Sequence, residues 1–188
     1  MARWEPDSRG RLEQAAFALY GERGFERTTV AEIAKRAGLT ERTFFRHFAD
    51  KREVLFAGSA ALQDLLASTV VDAPGGLAPI DAVAAAIEAA GAQLEERRER
   101  ARQRHAIIAA TAELRERELI KLASLAAALA DALRQRGVDE PAASLTAEAG
   151  IAVFRIAVDR WVDEANQRTL PELVRDSFGQ LRAVTAGR

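Results

Sequence analysis

Residues 29–48 read TVAEIAKRAGLTERTFFRHF, and this stretch predicts two short helices joined by a tight turn. Thr29 and Glu32 have the spacing of a capping box, in which each residue satisfies a free backbone N–H at the start of a helix. Gly38 fits the turn, because glycine adopts positive φ angles without steric cost. Thr40 is suited to cap the second helix, which we expect to begin just after it.

The second of these helices has one apolar and one polar face. Phe44 and Phe48 are four residues apart and therefore lie on the same side of a helix. The side chains left to point outward are Thr40, Glu41, Arg42, Thr43, Arg46 and His47. Such a face suits the major groove of duplex DNA, which is about 12 Å wide. The alternative is a hairpin within an ordinary α-helical bundle, with the same side chains solvated.

The surrounding residues favour the first interpretation. The segment from Ala16 to Leu55 resembles the DNA-binding domain of the tetracycline-repressor (TetR) family in residue type and spacing. The matching elements are Leu19-Tyr20, Gly24-Phe25, Thr28-Thr29-Val30, Ile33-Ala34, Ala37-Gly38-Leu39-Thr40, Thr43-Phe44-Phe45, His47-Phe48, Lys51 and Leu55. The rest of the chain resembles that family only in being helical and of suitable length.

The resemblance implies a role for each matching polar position. Thr29, at the positive end of its helix, would meet a phosphate. His47 and Lys51 would bind phosphates and fix the register on the duplex. The side chains nearest the bases would be Thr40, Arg42 and Thr43. Arg42 is the candidate for direct readout, because a guanidinium can donate to guanine O6 and N7 together.

One position departs from the family pattern. Phe45 stands where the family commonly has a tyrosine whose hydroxyl binds a phosphate. A phenylalanine has no hydroxyl and can only pack against a sugar or a thymine methyl group. Arg46, next to it, is the candidate to supply the missing phosphate contact.

Composition predicts an all-α protein. The 188 residues are 48% hydrophobic, and strong helix formers such as alanine and leucine are abundant. The periodicity predicts about nine helices, with breaks near residues 97–98 and 111. We expect a three-helix, helix-turn-helix DNA-binding domain in residues 1–52, with its motif at 29–48. Residues 53–188 would form a helical effector-binding and dimerisation domain.

The residue content argues against several kinds of site. The chain has no cysteine, which excludes disulfides and thiolate ligands, and it has only two histidines, so we expect no metal or cofactor. Residues 1–56 hold 11 lysines and arginines against 9 acidic residues, an excess too small to identify a nucleic-acid binder alone. A signal peptide and an apolar run of about 18 residues are not evident, so we expect a cytoplasmic protein without membrane association.

The last two predicted helices suggest a dimer. The eighth is apolar almost all round between Ile151 and Val162, and the ninth carries a broad apolar stripe between Leu170 and Val184. Helices of this kind pack against other parts of the protein, or against a partner, on more than one side. The TetR resemblance implies that they form a four-helix interface between two subunits, which would then read a palindromic operator. The alternative is that both helices close a monomeric core.

Helices four to seven supply apolar side chains for an effector cavity, and the eighth helix adds two further candidate residues. This pattern favours a hydrophobic or amphipathic small molecule, such as a fatty acyl derivative or an aromatic drug. The candidate ligand-binding residues are Leu66, Leu94, His105, Ile108, Thr111, Leu122, Leu125, Phe154 and Val158. Ordinary packing is the alternative for each of them.

The run EERRERARQR at residues 95–104 has two interpretations. A second basic patch is one. We prefer a solvated helical face stabilised by pairs such as Glu96 with Arg100.

Three functions remain to be compared. A ligand-responsive repressor of the TetR type, binding its operator as a homodimer, accounts for most of these patterns. An all-α enzyme is disfavoured, because the sequence has no Ser-His-Asp order, metal-ligand set or phosphate-cradling glycine loop. A helical interaction protein without DNA binding is disfavoured by the intact polar set from Thr29 to Lys51.

Overall fold

A computed structural model describes residues 7–187, which contain nine α-helices and no β-strand. The helices are α1 Ser8–Arg23, α2 Val30–Arg36, α3 Glu41–His47, α4 Ser59–Asp72, α5 Pro79–Glu95, α6 Arg98–Ala110, α7 Ala112–Gln135, α8 Ala142–Val162 and α9 Leu170–Thr185. The all-α prediction is confirmed, and so are the breaks near residues 97–98 and 111.

Local sequence accounts for several helix ends. Thr29 and Thr169 cap α2 and α9, each in a complete capping box with the glutamate three residues on. Gly24 follows α1 with a φ of 87°, and Gly137 follows α7 with a φ of 82°. Left-handed conformations of this kind cost glycine little, so they end helices efficiently.

The segment before α4 differs from what its sequence predicts. Asp50 and Glu53 have the spacing of a helix start, which predicts that the fourth helix opens at Asp50, but α4 begins only at Ser59. The side chain of Asp50 instead accepts hydrogen bonds from the backbone N–H groups of Arg52 and Glu53, at 2.8 and 3.2 Å. These bonds favour a tight turn, and a short 3₁₀ helix, Glu53–Phe56, precedes α4.

The segment Glu53–Asp72 is also more apolar than the sequence expectation allowed. It is long and apolar enough to cross a membrane by length and composition. An 18-residue stretch within it has a mean hydropathy of 1.6, and 28% of that stretch is buried. The 3₁₀ helix forms the first four residues of this segment, so the α-helix itself has only 14 residues. The buried side chains of the segment divide between two apolar cores. Val54 and Phe56 lie in one of these cores, and Leu66 and Val70 lie in the other.

The described chain forms two compact units. The first comprises the described residues up to Gly58 together with Gln103–Glu116. In it, α1 packs against both α2 and α3. Its core includes Leu12, Ile33 and Phe44, all with 0% exposure. The first unit therefore holds α2 and α3 through side chains on one face of each.

The second unit comprises Ser59–Arg102 and the described residues from Arg117 onward. Its central helix is α5, which packs against α4, α8 and α9. Small residues permit this packing: a methyl group built on Gly150 of α8 would overlap Val83 of α5, and one on Gly91 would come within 3.3 Å of Leu170. The packing of α5 against α8 therefore depends on the missing side chain at Gly150, and Gly91 leaves room for Leu170.

Arginine side chains cap the C-terminal ends of two helices of the second unit, α8 and α4. Arg98 donates to the carbonyl oxygens of Trp161, at 2.9 and 3.2 Å, and Asn166, and Arg102 donates to Val162 at 3.0 Å. These carbonyls lie at or beyond the end of α8, where backbone acceptors lack intrahelical partners. The preferred interpretation of residues 95–104 as a solvated face is therefore wrong for these two arginines.

Arg136 caps the C-terminal end of α4 in the same way. It donates to the carbonyl oxygens of Val70 at 3.1 Å, Pro74 at 2.8 Å, and Ala73. A positive charge at this end also complements the helix dipole.

Candidate nucleic-acid interface

The seven-residue helix α3 is held at both ends. At its start, the Thr40 hydroxyl accepts a hydrogen bond from the Thr43 N–H at 3.2 Å, and the two hydroxyl oxygens are 3.0 Å apart. The turn before it passes through Gly38 with a φ of 67°. At its end, the N–H of Phe48 donates to the Phe44 carbonyl at 2.9 Å. The sequence features that predicted this helix are therefore those that define it.

The two faces of α3 differ as the sequence indicated. Phe44 is 0% exposed and Phe48 4% exposed, and both belong to the apolar core of the first unit. The residues of α3 on the opposite side are exposed or half-buried: Glu41, Arg42, Thr43, Phe45, Arg46 and His47. Neither Arg42 nor Arg46 makes an ion pair with any described residue. The polar face is therefore accessible to a macromolecular partner.

Phe45 is a large apolar side chain on this face. It is 55% exposed and lies edge-on to Phe44, with ring centroids 5.5 Å apart. Only part of the ring is thus covered by the protein. An exposed aromatic ring beside the guanidinium-bearing Arg46 can pack on sugar or on a thymine methyl group, as the sequence suggested.

The start of α2 carries a carboxylate as well as the expected threonine. The Thr29 hydroxyl and backbone N–H both donate to Glu32 at 2.9 Å, and these bonds lower the pKa of the Glu32 carboxyl. Arg23 donates to the other carboxylate oxygen at 2.6 Å. Thr29 is exposed, but its hydroxyl already has a partner in the free protein.

His47 is anchored to the start of α1. Its Nε2 lies 2.8 Å from the hydroxyl oxygen of Ser8, and the imidazole is half-buried. This contact fixes the ring orientation and leaves Nδ1 on the other side of the ring. The sequence did not indicate Ser8, because its partner is 39 residues away.

Lys51 has a different environment from the one expected. Its ammonium group lies 2.9 Å from the carbonyl oxygens of Phe25 and Thr28 and 3.3 Å from that of Glu26. It also lies 4.4 Å from the centroid of the Phe25 ring. The phosphate contact that the sequence suggested for Lys51 stays a prediction, since the described chain already provides three acceptors.

A groove of about 470 Å³ lies beside the turn between α2 and α3. It is lined by Arg11, Gln14, Ala15, Ala18, Arg36, Ala37 and Gly38. Both arginines have partners within the protein: Arg11 donates to the Ala37 carbonyl at 2.5 Å, and Arg36 donates to both oxygens of Glu22 at 2.9 and 2.6 Å. These bonds stabilise the turn and the C-terminal end of α2.

The candidate ligand-binding residues divide between the two units. Those in the core of the second unit are Leu66, Leu94, Leu122, Leu125, Phe154 and Val158. His105, Ile108 and Thr111 belong to the first unit, and Ile108 is 2% exposed in its apolar core. Six of the nine residues therefore share the core of the second unit, and the other three belong to the first unit. Periodicity alone could not show that the two halves of α6 contribute to different cores.

Two family models match most of the chain. Residues 13–57 match the family described as bacterial regulatory proteins, tetR family. Residues 77–186, which are more than half of the chain, match the MftR C-terminal domain.

Part of the chain is also similar in sequence to a known transcriptional regulator. The HTH-type transcriptional regulator TcmR of Streptomyces glaucescens is 35% identical over 82 residues, which are 44% of this chain and 36% of TcmR. The matched segment thus spans only about a third of that protein.

Solved structures extend the likeness in fold to nearly the whole chain. SmeT, the repressor of the Stenotrophomonas maltophilia multidrug efflux pump SmeDEF, has a TM-score of 0.65 at 22% identity over 94% of this chain and 89% of SmeT. FadR of Thermus thermophilus, a TetR-family transcriptional repressor solved with lauroyl-CoA, has a TM-score of 0.59 at 22% identity over 93% of each chain. The chain belongs to the TetR family of bacterial regulatory proteins.

Proposed function

We propose that this protein is a transcriptional repressor that binds a palindromic DNA operator as a homodimer and is released by a hydrophobic or amphipathic ligand. The observation that carries the proposal is the accessible polar face of α3, which buried Phe44 and Phe48 hold outward. A helix of this kind can enter the major groove with its side chains toward the base edges. DNA binding would belong to residues 1–52, and effector binding and dimerisation to residues 53–188. Regulation of this kind, rather than catalysis, would place the protein in the cytoplasm with its DNA.

The proposed DNA contacts divide into two groups. The residues proposed to reach the bases are Thr40, Arg42 and Thr43. Those proposed to contact the DNA backbone are Thr29, Phe45, Arg46 and His47. For His47, the Ser8 hydroxyl engages Nε2, so Nδ1 is the nitrogen that could donate to a phosphate.

DNA binding is tested first with duplex DNA from immediately upstream of the coding sequence and with a random duplex library. We expect the wild-type protein to enrich an inverted repeat from the library and to shift the upstream DNA if it contains that repeat. As a control, Phe44→Ala should lose binding together with the fold of the first unit, since truncation of a buried phenylalanine costs about 3–5 kcal/mol. A wild-type protein that folds and enriches no sequence would contradict the proposal.

The proposed dimer interface lies on the exposed side of α8 and α9. On α8, Leu145 is 68% exposed and Ile156 is 48% exposed, and they lie on one helical face with Ala152 between them. On α9, Val184 is 75% exposed. Large apolar side chains left exposed in a row commonly mark an interface with another protein. The same two helices are those whose sequences suggested cover on more than one side.

Sedimentation measurements test the interface with a matched pair of variants. We expect Ile156→Glu to convert the dimer into monomers, because a carboxylate would be buried without a partner. Leu119→Glu on α7, where Leu119 is 62% exposed, should leave the dimer intact. Equal behaviour of the two variants, or a monomeric wild-type protein, would contradict this interface.

The effector proposal rests on the apolar residues that pack in the second unit, among them Leu66, Leu122 and Phe154. Lauroyl-CoA, which is bound to the FadR structure, is a suitable first probe, with coenzyme A as the control that lacks the acyl chain. We expect an effector to raise the melting temperature and to release DNA, since binding only to the folded state stabilises it. A panel of acyl and aromatic compounds extends the test. A response to small polar metabolites alone would contradict the proposal.

A further inference from the structure

The ammonium group of Lys51 occupies a site built from main-chain oxygens. An ammonium has three N–H donors and no acceptor. The described structure supplies three acceptors to match, the carbonyl oxygens of Phe25, Glu26 and Thr28 at 2.9, 3.3 and 2.9 Å. The face of the Phe25 ring, whose centroid is 4.4 Å away, adds a favourable cation–π contact. Lys51 is half-buried, so these contacts are partly shielded from water.

The backbone of Lys51 is fixed as well. Its carbonyl oxygen accepts a hydrogen bond from the Tyr20 hydroxyl at 2.6 Å. Tyr20 is 3% exposed, and burial raises the pKa of its phenol, so the hydroxyl remains a donor throughout the ordinary pH range. Tyr20 also packs against Phe25, with ring centroids 5.2 Å apart. Both ends of the lysine are thus attached to α1 or to the segment that follows it.

That segment leads directly into the start of α2. Residues 24–28 lie outside any helix, and Thr28 is 0% exposed, with its hydroxyl donating to the Gly24 carbonyl at 2.9 Å. The next residue, Thr29, is the cap of α2 and a proposed phosphate contact. The carbonyl groups that Lys51 binds therefore determine where Thr29 lies.

We infer that Lys51 is a positioning residue, which fixes residues 25–28 and thereby sets Thr29 and the start of α2 for contact with the DNA backbone. This inference rests on the proposed function. It differs from a direct phosphate contact, because a phosphate could reach the ammonium only by displacing at least one of the three carbonyl oxygens.

Two substitutions separate these roles. Lys51→Arg keeps the positive charge and could still bind a phosphate, but a planar guanidinium cannot direct three donors to three closely spaced carbonyls as a compact ammonium does. Lys51→Met keeps the length of the side chain and removes the charge. Lys35→Met is the control, since Lys35 is an exposed lysine on α2 in the same unit.

The first measurement is the melting temperature without DNA. We expect both Lys51 variants to melt lower than the wild-type protein by about 4 °C or more, and Lys35→Met to melt within about 1 °C of it. Hydrogen exchange should be faster at the amides of residues 25–29 in both Lys51 variants. Loss of the folded state in Lys51→Met would also support the inference, because an exposed phosphate ligand contributes nothing to folding. Unchanged melting and exchange in both variants would overturn it.

The second measurement is affinity for the duplex that the wild-type protein selects, at several salt concentrations and well below every melting temperature. We expect roughly tenfold weaker binding for both Lys51 variants, with the slope of log affinity against log salt unchanged. Wild-type affinity of Lys51→Arg, with a slope about 0.9 smaller for Lys51→Met, would instead assign a phosphate contact and overturn the inference.

A double-mutant cycle with Thr29→Ala completes the test. If Lys51 acts through Thr29, the loss of affinity on removing the Thr29 hydroxyl should be clearly smaller in the Lys51→Met background than in the wild-type background. If the fold-loss in affinity of the double variant equals the product of the two single fold-losses, the residues act independently, and the link to Thr29 is overturned. A wild-type protein that binds no duplex would refute the proposed function, while the melting and exchange measurements would still decide the role of Lys51.

Discussion

Replacement of Arg42 by alanine is the sharpest test of how α3 reads DNA. Arg42 is exposed on α3 and makes no ion pair with the described residues, so its removal breaks no internal contact. Surface substitutions of this kind usually change stability by less than about 0.5 kcal/mol. A change in DNA binding can therefore be assigned to the lost DNA contact rather than to the fold.

The expected magnitude follows from the geometry of a guanidinium on guanine. A bidentate contact contributes about 1–3 kcal/mol of discrimination, which is a loss of roughly 5- to 150-fold in affinity for the preferred site. The loss should be concentrated at one base pair of each half-site. Arg46→Ala, which removes a proposed phosphate contact, should weaken all sequences alike and reduce the salt slope by about 0.9.

The assay is a titration of the selected duplex and of single-base variants at several salt concentrations. Arg36→Ala is the charge-matched control, because both of its terminal nitrogens are bound to Glu22 at 2.9 and 2.6 Å. It should leave base preference unchanged. Equal losses for Arg42→Ala and Arg46→Ala on every sequence, with equal changes in salt slope, would refute this division of roles.

Three predictions concern the second unit. Arg136→Met should lower the free energy of unfolding by about 2 kcal/mol, because the buried Val70 carbonyl loses a charged donor. Arg134→Met removes only exposed ion pairs and should cost much less. Urea denaturation compares the two variants. Gly150→Ala should destabilise by about 1–3 kcal/mol in the same assay, since the new methyl group would overlap Val83. The Ser177 hydroxyl is buried without a hydrogen-bond partner among the described residues, so Ser177→Ala should raise the melting temperature, and a lower one would show that the hydroxyl has a partner.

The parts of the fold that depend on near neighbours could be predicted from the sequence. The capping boxes at Thr29 and Thr169, the turn at Gly38 and the inward pair Phe44 and Phe48 each involve residues within a few positions of one another. Propensity and periodicity act over that range, so they define helix starts and the faces of α3. This is why the candidate interface could be identified before any tertiary contact was known.

Contacts across long sequence separations could not be predicted in the same way. Arg98 and Trp161 are 63 residues apart, and Lys51 and Thr28 are 23 residues apart. A lysine or arginine that donates to a carbonyl has the same sequence signature as one that faces solvent. Ile108 shows the same limit, because its apolar character predicts burial but not which core it enters.

The distribution of cations explains how a chain with a net charge of −1 can carry a DNA-binding surface. Many of its positive groups have partners within the protein: Lys51 and Arg136 are bound to carbonyl oxygens, and Arg36 is paired with a carboxylate. Arg42 and Arg46 on α3 have no such partner among the described residues, so they remain available for bases and phosphates. Ions in solution screen charges that are more than about 8–10 Å apart. A phosphate therefore interacts with the charged groups nearest to it and hardly at all with the net charge of the whole chain. The local surplus on one short helix therefore matters for binding, while the arginines elsewhere stabilise the fold.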